Sequence, residues 1–200
     1  MTLIGLDFDN TIVCYDELFH KLAVEKNLIQ PSFPAQKTAI RDYLRKKDLD
    51  HEFTLLQGEA YGPRILSAKP CHGVLEALAE LQRTGTSMII VSHKTKTPYK
   101  GPEYDLHQSA LTWLQHNHLI STRDGATSLC QAVFFEPTKL DKAKRIAKLG
   151  CDFYIDDLPE ILELLPPQIT KILYSPDPFS TVHKSFTHMR SWDELQTIIA

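Results

Sequence analysis

The feature that most restricts the fold of this chain is an alternation. Short apolar runs end in polar residues, and amphipathic helical patterns separate them. Leu3 to Phe8 is the first such run, with Asp7 and Asp9 at its carboxyl end. Ser87 to Val91 ends at Ser92 and His93, Ala132 to Phe135 at Glu136, Phe153 to Ile155 at Asp156 and Asp157, and Lys171 to Tyr174 at Ser175. Runs of this length, rich in β-branched and aromatic residues, read as buried strands. Between them, Gly73 to Arg83 repeats Val74, Leu75, Leu78 and Leu81 at helical spacing. Lys139 to Leu149 opens on Thr138 with Asp141 three residues later and closes at Gly150, which are start and stop signals of a helix. Ser109 to His116, Pro159 to Leu165 and Trp192 to Ile199 have helical patterns as well. Strands alternating with helices predict an α/β fold, a three-layer Rossmann-like parallel sheet of about five strands with helices on both faces. Ligands of such sheets bind at the carboxyl ends of the strands, which is where the polar residues fall.

One stretch departs from the alternation. Residues 14–69 are too long for a single crossover and contain helical patterns at Glu17 to Lys26, Ala35 to Lys46 and Glu52 to Ala60. The expected organisation is a core of residues 1–13 and 70–200 carrying a small helical insert, 14–69, above the strand ends. With 200 residues, 42% hydrophobic and 24% charged, the chain has enough apolar mass for a packed core. Its net charge of −3 disfavours a nucleic-acid surface. No run approaches the length of a membrane span, and the early acid Asp7, without a basic leader, argues against a signal peptide. Cys14, Cys71, Cys130 and Cys151 form no CxxC pair, so neither a zinc site nor a disulfide framework is expected. A cytoplasmic protein follows, as a monomer or homodimer.

Four polar positions carry the chemistry. Asp7-Phe8-Asp9-Asn10-Thr11 puts two carboxylates at one strand end, on the same side. One carboxylate can attack phosphorus, and the other can protonate a leaving oxygen and then activate water. Ser92 offers a hydroxyl to a phosphoryl oxygen. Lys142 and Lys139, both in the first turn of one helix, compete for the role of the cation that offsets charge repulsion. Asp156 and Asp157 are adjacent acids that repel unless a cation lies between them, and magnesium accepts such oxygen ligands. Taken singly, solvated acids, a capping serine and surface lysines are the ordinary occupants of such positions. Here all four lie at strand ends or at a helix start between strands, which sets them apart from those ordinary occupants.

In that arrangement the chain resembles the haloacid dehalogenase superfamily of phosphohydrolases. The family's Asp-x-Asp-x-Thr motif is matched by Asp7, Asp9 and Thr11, its strand-end hydroxyl by Ser92, its lysine by Lys142 or Lys139, and its acidic pair by Asp156 and Asp157. The resemblance covers residues 1–13 and 70–200, and the insert matches in position the family's helical cap. It implies Mg2+-dependent cleavage of a small phosphate monoester. Asp7 would be the nucleophile and Asp9 the general acid and base. Mg2+ would lie among Asp7, the Asp9 carbonyl and Asp156, Ser92 and Lys142 would hold phosphoryl oxygens, and Asp157 would position the lysine. Dehalogenases and phosphonatases of the family lack the second aspartate, so Asp9 points to phosphate esters. Phosphotransfer through the same aspartyl phosphate, and a binding module without turnover, are the alternatives. Asn10 stands where many members carry glycine, and asparagine tolerates the same backbone angles. Substrate contacts are expected from Asn10, His93 and Lys94, from the loop 94–106, and from Arg64 in the insert. His116 and His118 read as a surface pair.

Overall fold

The structure, a computed structural model, describes residues 2–121, 128–177 and 183–200. Met1, with which the expected core begins, lies outside them. In chain order the elements are β1 (Leu3–Leu6), β2 (Val13–Cys14), α1 (Asp16–Glu25), α2 (Lys37–Lys46), α3 (Asp50–Tyr61), β3 (Lys69–Pro70), α4 (Val74–Arg83), β4 (Ser87–His93), α5 (Leu106–His116), β5 (Ala132–Glu136), α6 (Lys139–Leu149), β6 (Phe153–Asp156), α7 (Pro159–Leu164), β7 (Thr170–Tyr174), β8 (Thr187–Met189) and α8 (Leu195–Ile199).

Six strands form one parallel sheet in the order β5-β4-β1-β6-β7-β8. The sixth strand, β8, extends the expected set. A second, two-stranded ribbon pairs β2 with β3 antiparallel, Val13 opposite Pro70 and Cys14 opposite Lys69. The chain builds outward from β1 through β4 to β5, then returns to the other side of β1 with β6. Strand order therefore reverses around β1, and a crevice opens at its carboxyl end. Asp7 is the first residue beyond that end.

Local chemistry explains how the key elements hold. Gly5 faces Tyr154 across the β1–β6 pair, where a Cβ would come within 2.5 Å of the tyrosine ring. The ring fills that space and its hydroxyl donates to the Val91 carbonyl at 2.5 Å. Helix α6 starts on Thr138, whose hydroxyl oxygen accepts the Asp141 amide, and ends at Gly150 in the left-handed region. Its inward face carries Ala143, Ile146 and Lys142.

Helices α1, α2 and α3 pack on one another and on the core below. Phe8 meets Trp113 of α5 edge to face at 5.5 Å, and the Trp113 indole donates to the Ala68 carbonyl at 2.9 Å. The four cysteines are free thiols. Among the described residues, no helix is long and apolar enough to cross a membrane.

Candidate active site

Four elements deliver the site. Asp7 follows β1, and its amide donates to the Ile155 carbonyl of β6 at 2.9 Å, which fixes it beside Asp156. Lys142 enters from the first turn of α6. Its ammonium donates to Asp7 Oδ1 and to Asp156 Oδ2, each at 2.6 Å. The lysine is 1% exposed and Asp156 is fully buried. Burial pulls the Lys142 ammonium down, but the charges of Asp7 and Asp156 outweigh it and hold the ammonium above its ordinary range. The second oxygen of Asp156 accepts the Leu158 amide at 2.9 Å.

One carboxylate oxygen from each of Asp7, Asp156 and Asp157 lies within 4.8 Å of the other two. One buried ammonium does not balance three acids. Burial, then the attraction of Lys142 opposed by the charge of Asp7, leaves the Asp156 carboxyl pushed up to about 7. Burial and the charges of Asp156 and Asp7 push Asp157 well above the usual carboxylate range. A surplus of hard oxygen donors under such strain suits a divalent cation. The donor set therefore fits magnesium.

Asp9 lines the same cavity as Asp7. Lys94 donates to both its oxygens, at 3.1 and 2.8 Å, and the Tyr15 hydroxyl donates to Oδ1 at 2.6 Å. Burial raises the Asp9 carboxyl, but Lys94, Tyr15 and Lys37 together hold it below its ordinary value. Asp9 is thus a carboxylate here. Ser92 Oγ, buried in the wall, has no hydrogen-bond partner among the described residues, and neither does Thr11 Oγ1. A free hydroxyl in the wall is placed for an incoming oxygen.

These groups open into a cavity of about 1160 Å³ between the strand ends and the insert. Of the expected substrate contacts, Asn10, His93 and Lys94 line it. Asn10 takes the left-handed conformation at φ 60° and donates to Asp157 Oδ2 at 3.3 Å. His93 contacts the Pro137 carbonyl through Nε2 at 3.1 Å. The structure corrects three expectations. Arg64 lies outside the cavity and pairs with Glu25 at 3.0 Å on the surface of the insert. Lys139 also faces outward, paired with Glu160, which leaves the site to Lys142. The lysine is positioned by Asp156, whereas Asp157 takes its hydrogen bond from Asn10.

Two cavity residues escaped sequence reading. Tyr15 sits one residue before the first insert helix, and its hydroxyl chemistry carries no motif. Lys37 begins α2, where a lysine ordinarily faces solvent. Its ammonium instead donates to Asn10 Oδ1 at 3.1 Å.

No protein-family profile and no curated protein matches the chain. Solved structures do. A HAD-superfamily hydrolase from Ehrlichia chaffeensis superposes with a TM-score of 0.58 at 13% identity, covering 100% of this chain and 97% of that one. A predicted phosphoglycolate phosphatase from Haemophilus somnus 129pt gives 0.56 at 16% identity, covering 100% and 98%. An L-2-haloacid dehalogenase gives 0.58 at 10% identity, covering 100% and 99%. With its switch-point crevice at the end of β1 and helices on both faces of a parallel sheet, the chain has the haloacid dehalogenase-like fold.

Proposed function

We propose that the protein is a magnesium-dependent phosphohydrolase that cleaves a small phosphate monoester through an aspartyl phosphate on Asp7. The observation that carries this reading is the ammonium of Lys142 shared by Asp7 and Asp156 at 2.6 Å, with the Asp9 carboxylate in the same cavity. Lys142 orients the Asp7 carboxyl through its hydrogen bond to Oδ1, as a nucleophile must be oriented. Asp7 attacks phosphorus as Asp9, which takes up a proton from solvent when the phosphate dianion enters beside it, passes that proton to the departing ester oxygen; the Asp9 carboxylate so restored then takes a proton from the water that cleaves the acyl phosphate. The ionised Asp9, held by Lys94 and Tyr15, is the form the second step needs. Ser92 donates to a phosphoryl oxygen. Asp7, Asp156 and Asp157 are the carboxylates that would hold magnesium, which supplies charge neutralisation for the approaching phosphate.

Asp9 also favours esters over haloacids. A halide leaves without a proton, so a second acid has no task in dehalogenation. The test is phosphate release from a panel of monoesters, with and without magnesium and with an added alcohol as acceptor. Wild-type protein should release phosphate only with the metal, and Asp7→Asn should fall to background. Near-normal magnesium-dependent turnover by Asp7→Asn would overturn the assignment, and transfer to the alcohol in place of water would make the protein a phosphotransferase.

A further inference from the structure

Six lysines and arginines line the cavity, and their partners separate them. Lys142 is held by Asp7 and Asp156, Lys94 by Asp9, Arg41 by Asp42, Arg45 by Asp50 and Lys69 by Glu17. Only Lys37 forms no ion pair among the described residues. Its ammonium meets the Asn10 amide oxygen at 3.1 Å and the Tyr61 hydroxyl. The rings of Tyr15, Phe19 and Tyr61 surround it, with centroids 5.6, 5.5 and 5.3 Å away. Rings stabilise a cation there and thin out the water around it. An anion arriving at such a charge gains more than it would at a solvated lysine.

Asn10 ties this charge to the reacting centre. It accepts from Lys37 through its oxygen and donates to Asp157 through its nitrogen. Two hydrogen bonds thus separate Lys37 from the acidic cluster that would hold the metal. Asp7 and Lys37 line the same cavity, so an ester with its phosphate on Asp7 has room to extend its alcohol portion to Lys37.

We propose that Lys37 is a specificity-determining residue and that the substrate is a phosphate monoester whose alcohol portion carries a second anionic group. This rests on the phosphohydrolase reading above. Three esters of matched length test it: phosphoglycolate with a carboxylate, ethylene glycol bisphosphate with a second phosphate, and 2-hydroxyethyl phosphate with a neutral end. Values of kcat/KM are measured with magnesium, and Kd values by calorimetry on Asp7→Asn. Wild-type protein should favour one of the two anionic esters at least about tenfold over the neutral one, the size of one charge-assisted hydrogen bond, and whichever it favours identifies the group. Lys37→Gln should bring that ratio close to one, and Lys37→Arg should restore most of it, which a merely structural role would not do. Turnover without discrimination, or discrimination that survives Lys37→Gln, overturns the inference and spares the phosphohydrolase reading. Selective binding that Lys37→Gln abolishes, with no turnover by wild-type protein, does the reverse. Neither turnover nor binding overturns both.

Discussion

At the residue scale, Lys142 has the largest expected effect. Removing one member of a buried ion pair leaves its partners charged and uncompensated, at about 3–5 kcal/mol. Lys142→Met strands Asp7 and Asp156 in this way, so urea denaturation in the presence of a chelator should show a loss of that order, together with loss of phosphate release. An unchanged midpoint would mean that the acids find another partner. Arg64 makes the contrast. Its ion pair with Glu25 is on the surface, where solvent screens the charges and such pairs contribute little. Arg64→Ala should leave kcat/KM unaltered and stability nearly so, and a clear loss of activity would return this arginine to the site. Sequence alone left Lys139 and Lys142 in competition because they stand three positions apart in one helical turn. What distinguishes them is which face of α6 turns inward, and that is set by strands distant in the chain. Lys37 was illegible for the same reason. A lysine at a helix start looks solvated until the fold closes aromatic rings around it.

At the element scale, the strands that carry motif residues were visible as apolar runs. β8 was not, because Thr187, His188 and Met189 make no such run; the strand exists through its pairing with β7. The β2–β3 ribbon is two residues on each side, below the length at which alternation can register. Gly5 was equally silent. In β1 it serves the packing of Tyr154, so Gly5→Ala should cost about 1–3 kcal/mol by overpacking. Chemical denaturation would measure it, and a cost below about 0.5 kcal/mol would show that the ring has room to shift. The disturbance should also reach the site, because Tyr154 stands 5.6 Å from the Lys142 ammonium and hydrogen bonds to β4 just before Ser92.

At the scale of the whole molecule, binding a metal to the folded state alone should stabilise it by mass action. At a hundred times Kd this is about 2.7 kcal/mol, or roughly 5–10 °C in Tm for a chain of this size. A thermal melt with magnesium against chelator should show the shift, and Asp156→Asn should blunt it. Equal shifts in both proteins would move the metal elsewhere. This readout needs no substrate, so it separates metal binding from catalysis.

The β2–β3 ribbon has one more consequence. The chain leaves the sheet at Val13 and returns at Pro70, side by side. Whatever lies between them is invisible to the register of the six strands. An ancestral gene could lengthen, shorten or exchange that segment without rethreading the sheet, provided that each new version kept an apolar underside to meet Phe8 and Trp113. Asp7, Lys142 and Asp156 would be inherited unchanged while Lys37, on helix α2, travelled in the exchangeable cassette.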